Sequence, residues 1–96
     1  MNYAFHPDAE NEFIQAIDYY EGCEGGLGYD FALEVYASMA RIIAHPDAWQ
    51  TVEENIRRSL VNRFPYGIIY TVENSEILIL AVMHLHRRPE YWKIRV

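Results

Sequence analysis

Cysteine is almost absent. Cys23 is alone among 96 residues, which excludes an internal disulfide and a cysteine-built zinc site and fits a reducing compartment. Long apolar runs are missing as well. The longest, Ile77 to Met83, has seven residues, whereas a membrane-spanning helix needs ~20. No basic stretch followed by an apolar one opens the chain, so no secretion signal is expected. Linkers, repeats and low-complexity tracts are also lacking. His-Pro-Asp-Ala at 6–9 returns at 45–48, but the flanks differ and the match reads as coincidence. Gly22, Gly25, Gly26 and Gly28 lack the following lysine and preceding strand of a phosphate-cradling loop. No histidine is near Cys23 in sequence, so a catalytic thiol is not expected.

What is present is 51% apolar and 23% charged. That balance is ordinary for a globular protein and too apolar for a disordered one. The length predicts one domain over residues 1–96. Charge is placed unevenly. Residues 1–54 hold eleven Asp/Glu and one Arg, a balance of −10. Residues 55–96 hold three Glu against six Arg and one Lys, a balance of +4, and the halves together give the net −6. This asymmetry marks the C-terminal half as the candidate surface for a charged partner. The alternative is that an acidic helical half keeps the protein soluble.

The hydrophobic period changes midway. Asn2 to His6 reads as extended, with Tyr3 and Phe5 alternating. Pro7 suits a first helical turn, and Asp8, Glu10 and Glu12 place negative charge where the helix dipole favours it. Ala9, Phe13, Ile17 and Tyr20 make one stripe, predicting a helix over about 7–21. The glycines at 22, 25 and 26 should end it. Leu27, Phe31, Val35, Met39 and Ile42 predict a second helix over about 27–44, ended before Pro46. The two helices should form an antiparallel hairpin. Residues 46–55 read as loop. Strands are predicted at Ile56–Phe64, Gly67–Glu73 and Glu76–His84, with turns at Pro65-Tyr66-Gly67 and Asn74-Ser75. The last strand is apolar at odd and even positions alike and should be covered on both faces. Residues 89–95 read as a short closing helix or an extended tail. The expected fold is α+β, in the order β-α-α-β-β-β, with a helical hairpin on a small, mostly antiparallel sheet.

Basic and aromatic residues collect in two places. Arg57, Arg58 and Arg63 lie in or beside the first hairpin strand. His84, His86, Arg87, Arg88, Tyr91, Trp92, Lys93 and Arg95 lie at the C-terminal end. If the strands pair as read, the two groups face one another across the sheet as a cationic ledge. Guanidinium forks would suit phosphate or carboxylate partners there. The alternative is solvated, edge-protecting charge. His84 and His86 are two apart on a strand, but no third ligand is close and neighbouring arginines repel a cation, so no metal is expected. The pair is also a possible proton-transfer couple for RNA cleavage. Trp92 reads as a packing residue. Tyr91 is amphipathic and open to either role. Tyr19, Tyr20 and Tyr36 read as packing within the helix hairpin.

Taken as a set, Arg57-Arg58, Arg63-Phe64-Pro65-Tyr66-Gly67-Ile68-Ile69-Tyr70, Ile77 to Val82, His84, Arg87-Arg88, Pro89 and Tyr91-Trp92 resemble the signature of the RelE/ParE superfamily. These are toxins of bacterial type II toxin–antitoxin modules, often labelled plasmid stabilisation proteins. His6-Pro7-Asp8-Ala9-Glu10 and Tyr19-Tyr20 are similar to ParE-like members. The resemblance covers nearly the whole chain. It implies the same element order, a bacterial cytoplasmic setting and no cofactor. It also implies a cognate, ParD-like antitoxin of ribbon-helix-helix type, through which alone operator DNA would be met.

The resemblance offers two activities: messenger RNA cleavage in the ribosome (RelE-like) and inhibition of DNA gyrase without cleavage (ParE-like). In the RelE-like pattern a basic residue follows the turn tyrosine, and here that position is Gly67. A second lies just past the last strand, matching about Leu85 with Arg87 near. A third falls near Leu60, while Arg58 does match a basic position and Tyr91 matches the C-terminal tyrosine. Missing cations are serious for a nuclease, because one donor to the developing charge is worth ~10²–10³ in rate. A net charge of −6 also suits a phosphate surface poorly. The expectation is therefore a ParE-like gyrase inhibitor that acts by binding and has no catalytic residue. The alternatives are a nuclease using Arg58, Arg87, Tyr91, His84 and His86, and a non-toxic module that only binds antitoxin.

Overall fold

The computed structural model describes residues Met1–Val96. The elements are β1 (Asn2–Phe5), α1 (Pro7–Cys23), α2 (Leu27–Ala44), β2 (Gln50–Glu53), β3 (Ile56–Leu60), β4 (Tyr66–Glu73), β5 (Glu76–His84) and a 3₁₀ turn at Tyr91–Arg95. The sheet has five strands in the order β1-β5-β4-β3-β2. β1 runs parallel to β5, and the remaining pairs are antiparallel.

α1 starts where the sequence provides for it. The His6 Nδ1 accepts from the Asp8 N–H at 3.1 Å, and Pro7 takes the first helical position. The helix runs past its predicted end, through Gly22 to Cys23. A glycine in the last turn costs only about 1 kcal/mol in propensity, and the Glu24 N–H still closes onto the Tyr20 carbonyl at 3.1 Å. The Glu21 carboxylate then accepts from the Gly26 and Gly28 N–H groups at 3.0–3.1 Å and fixes the turn. At Gly28 a Cβ would stand 2.6 Å from the Ile17 carbonyl oxygen, so only glycine lets the two helices approach this closely.

The helix hairpin covers one face of the sheet. Phe13, Phe31, Val35, Met39 and Ile42 pack there against Ile68, Tyr70, Ile77, Ile79 and Val82. Buried Ser38 of α2 meets buried Ser59 of β3 through their hydroxyls at 3.2 Å. Tyr20 joins Phe31, Phe64 and Tyr66 in an aromatic cluster with centroids 4.9–6.2 Å apart. Of the three tyrosines expected to pack within the hairpin, Tyr20 is seated against the core, and Tyr36 packs edge-on to Phe13 of α1 with centroids 5.5 Å apart while one side stays in water; Tyr19 is exposed and touches Tyr20 edge-on.

The C-terminal segment covers the other face. Ile56, Ile69, Leu80, Ala81, Met83 and Trp92 form a second, smaller core, and Trp92 is 3% exposed. β5 is thus buried on both faces, as its unbroken apolar run predicts.

Three expectations need correction. The turn is not at Pro65-Tyr66-Gly67, because Tyr66 and Gly67 already pair with His84 and Met83 as the start of β4, and the chain bends over residues 62–65 instead. Residues 46–55 are not all loop, because Gln50–Glu53 pairs with β3 as an edge strand. All four of its residues are exposed, so it lacks the alternation that would reveal a strand. β3 ends at Leu60, not Phe64. Arg63 has φ 71°, in the left-handed region, and an extended strand cannot continue through it. The Asn74-Ser75 turn is as predicted, both residues having positive φ, 51° and 61°.

Candidate functional site

The predicted cationic ledge does not form as one surface. Consecutive strand residues point to opposite faces, so β3 sends Arg57 toward the helices and Arg58 to the other side. Arg57 donates from Nη1 to the carbonyls of Asp47 and Trp49 at 3.1 and 2.7 Å, clamping the loop before β2. Tyr70 holds the same loop, donating to the Pro46 carbonyl at 2.6 Å. Burial pushes its phenol up to about 12, against a smaller opposing pull from Arg57. Arg63, turned by its left-handed backbone, sits 3.8 Å from both Asp30 and Glu34 of α2.

The C-terminal cations are gathered by Glu12, whose sequence position suggested only a helix-dipole role. Its Oε1 accepts from Arg95 Nη1 at 2.9 Å and from the Val82 N–H at 3.0 Å. Its Oε2 accepts from Arg95 Nη2 at 3.0 Å and from Arg87 Nη1 at 3.3 Å. The Arg95 side chain is 9% exposed and that of Glu12 11%. The hydrogen bonds to Glu12 hold the Arg95 guanidinium above its ordinary pKa, against its burial. Arg95 also donates to the Leu80 carbonyl at 2.9 Å and lies 3.7 Å from Asp8. The Tyr91 ring lies under Arg87 and Arg95, with guanidinium carbons 3.8 and 5.0 Å from its centroid. Burial, and then the Glu12 carboxylate beside it, raise the Tyr91 phenol far above its usual value.

A sequence signal for Glu12 does exist. It lies three residues after Ala9 and four before Ala16, both buried, and so on the inward side of α1.

Of the remaining candidates, His84 and His86 come together at the end of β5 with ring centroids 5.1 Å apart. The His86 N–H donates to His84 Nδ1 at 3.0 Å. His84 also packs edge-on to Tyr66, with centroids 5.2 Å apart. Arg88 is exposed and has no carboxylate partner. Lys93 is shared between Glu53 at 3.4 Å and Glu90 at 3.7 Å. Trp92 is a packing residue of the second core.

Arg58 stands apart. Its stem crosses Gly67, where a Cβ would lie 3.2 Å from both Arg58 Cγ and Cδ. The residue that lacks a cation in the RelE-like pattern is therefore the one whose bareness lets Arg58 lie across the sheet. No carboxylate pairs with Arg58. Its one hydrogen bond is from Nη2 to Gln50 Oε1 at 3.2 Å.

The helix hairpin contributes a different surface. Tyr29, Leu33 and Tyr36 repeat at spacings of four and three on α2 and are exposed, as is Ile14 on α1. A row of large apolar side chains left in water marks an interaction surface.

Comparison with known proteins fits this geometry. A family profile described as "ParE toxin of type II toxin-antitoxin system, parDE" matches residues 3–89. No curated protein matches the chain. Among solved structures, a chain titled "Chromosomal ParDE TA system from P. aeruginosa" superposes with a TM-score of 0.77 at 17% identity, covering 90% of this chain and 97% of that one. At that identity the likeness is one of fold. No helix is long and apolar enough to cross a membrane.

Proposed function

The chain belongs to the ParE toxin family of type II toxin–antitoxin systems, and from that premise we propose that it inhibits DNA gyrase by binding, cutting no nucleic acid, and is neutralised by a ParD-like antitoxin. The observation that carries binding over cleavage is the engagement of Glu12. A ribosome-dependent nuclease of this superfamily would need Arg87 and Tyr91 free at the end of the sheet. Here Glu12 pairs with Arg87 and lies beside Tyr91, whose raised phenol is a poor proton acceptor or donor near neutral pH. Gly67 offers no cation to a developing phosphorane.

The apolar row on the helix hairpin supports a helical antitoxin segment as partner, because an amphipathic helix docks by burying such residues. The cations with no carboxylate or carbonyl partner, and so free for a target, are Arg41, Arg58 and Arg88, and Arg88 lies two residues after His86 at the C-terminal end. Arg57, Arg63, Arg87, Lys93 and Arg95 already have internal partners.

Purified protein added to a gyrase supercoiling assay tests the reading. Loss of supercoiling, relieved by the product of a small adjacent open reading frame, is expected. Normal supercoiling together with new 5′ ends on translated transcripts would replace it with the nuclease.

A further inference from the structure

The start of β2 leaves a gap in the sheet edge. Gln50 is its first residue and pairs with Arg58, so Ser59 and Leu60 of β3 have no strand on that side. The Ser38–Ser59 hydroxyl contact pins α2 to β3 at this point. Arg41 follows Ser38 by three residues and so lies on the same side of the helix, one turn further on. Arg41 reaches the gap from the helix face and Arg58 from the opposite one. With Trp49, Gln50, Leu60 and Asn62 they line a cleft of about 290 Å³, and no acidic residue shares that lining.

Eight Lys and Arg face fourteen Asp and Glu in this chain. Five of the eight, Arg57, Arg63, Arg87, Lys93 and Arg95, are held by internal carboxylates or carbonyls. Two of the other three, Arg41 and Arg58, line this one cleft. We propose that it binds the dianionic phosphate of a phosphate monoester, bridged between the Arg41 and Arg58 guanidinium groups. Gln50 Oε1 accepts from Arg58 Nη2 at 3.2 Å, which leaves the Gln50 amide N–H groups to donate beside those of Asn62. A phosphate monoester carries close to two negative charges near pH 7 and suits two guanidinium forks. A single carboxylate would neutralise only one of them. The nearby acids do not oppose the anion within the cleft: Asp47 is outside the lining, and Glu53 is drawn to Lys93 at 3.4 Å. Charges beyond a Debye length, about 8 Å at physiological salt, count for little. The volume equals roughly ten waters at ~30 Å³ each, room for a phosphate and part of the group that carries it, with Trp49 and Leu60 as apolar walls. This site does not require gyrase to be the target.

The test uses the ¹⁵N-labelled full chain, with the Arg41 and Arg58 Nε–H resonances as readouts and inorganic phosphate as the first probe. Both resonances should shift together and saturate on the order of millimolar phosphate, as suits so small a ligand. Arg41→Gln and Arg58→Gln should each weaken binding about tenfold or more, since charge-assisted bonds are lost. Arg88→Gln, which removes the third unpaired cation from outside the cleft, should leave the affinity unchanged. Two further probes separate the sources of the phosphate. A response to AMP with adenosine inert assigns the site to a free nucleotide. A response confined to a 5′-phosphorylated oligonucleotide, with its 5′-hydroxyl twin inert, assigns it to the end of a strand. Absence of any shift, a response to neither monoester, equal binding of the 5′-hydroxyl twin, equal binding of glutarate, or equal weakening by Arg88→Gln would each overturn the proposal.

Discussion

The Glu12 carboxylate accepts a hydrogen bond from the backbone N–H of Val82, seventy residues further along the chain, at 3.0 Å. Its place explains it. β1 pairs with β5 only as far as Phe5 and Ile79, and the His6 N–H makes the last backbone bond, to the Ile79 carbonyl at 2.8 Å. Beyond that point β5 has no strand on its outer side. Glu12 accepts from Val82, while Arg95 donates to the Leu80 carbonyl. A buried ion pair thus takes the place of the missing strand, satisfies two backbone groups and closes an edge that would otherwise pair with another chain. It also ties α1 to the C-terminal turn that covers the second core.

Glu12→Ala should therefore destabilise the protein by about 3 kcal/mol or more, because Arg95 would be left buried without its carboxylate. Glu12→Gln keeps one acceptor and should cost less. Urea denaturation followed by the fluorescence of Trp49 and Trp92 together checks both. If Glu12→Ala unfolds at the same urea concentration as the parent, Glu12 is not the anchor described.

The same residue shows where sequence reasoning ran out. Both helices, β4, β5 and the Asn74-Ser75 turn were legible because each rests on a local period or a local turn preference. In sequence Glu12 reads as a helix-dipole charge because its partners, Val82, Arg87 and Arg95, are distant along the chain. β2 is silent in the sequence because an edge strand with every residue in water has no apolar face to announce it. The cationic ledge failed for two local reasons: Arg57 and Arg58 are consecutive on a strand and must diverge, and Arg63 lies on a left-handed turn. The candidate site was thus legible as a set of residue types and not as a surface.

The Ser38–Ser59 contact carries a second expectation. The two hydroxyls are fully buried and 3.2 Å apart. Ser59→Ala leaves the Ser38 hydroxyl buried without that partner, at a cost of about 1–3 kcal/mol. Ser38→Ala does the converse. The double variant removes both polar groups and should be less destabilised than the two single changes added together. A thermal-denaturation double-mutant cycle measures the difference, and strict additivity would mean the hydroxyls are not coupled.

Gly67→Ala tests the relation between Gly67 and Arg58. An added methyl would lie 3.2 Å from the Arg58 stem, closer than that stem tolerates without moving. A strand interior prefers alanine to glycine by roughly 0.5–1 kcal/mol, and a flexible arginine held by one side-chain bond gives way easily. Stability should consequently change by less than about 1 kcal/mol, while the Arg58 Nε–H resonance shifts. An unmoved Arg58 Nε–H resonance would show that the added methyl does not press on the Arg58 stem.

Tyr70 gives the protein a distinct alkaline behaviour. Its phenol ionises at about 12 in the folded chain, with burial the main cause, against ~10 in an unfolded one. Between those values the folded state keeps a proton that the unfolded state has released, so stability is full below about 10 and falls as pH rises toward 12. Tyr70→Phe lacks this dependence and also lacks the hydrogen bond to the Pro46 carbonyl. It should be less stable than the parent near neutral pH, by about 1 kcal/mol for that bond. The gap should then close and change sign as pH rises from 10 toward 12, because only the parent's unfolded state gains from ionising residue 70, and a rise in the phenol pKa from ~10 to about 12 outweighs a hydrogen bond of about 1 kcal/mol. Urea midpoints at several alkaline pH values decide it, and a gap that stays constant across that window would mean that the Tyr70 phenol ionises at the same pH whether or not the loop is clamped.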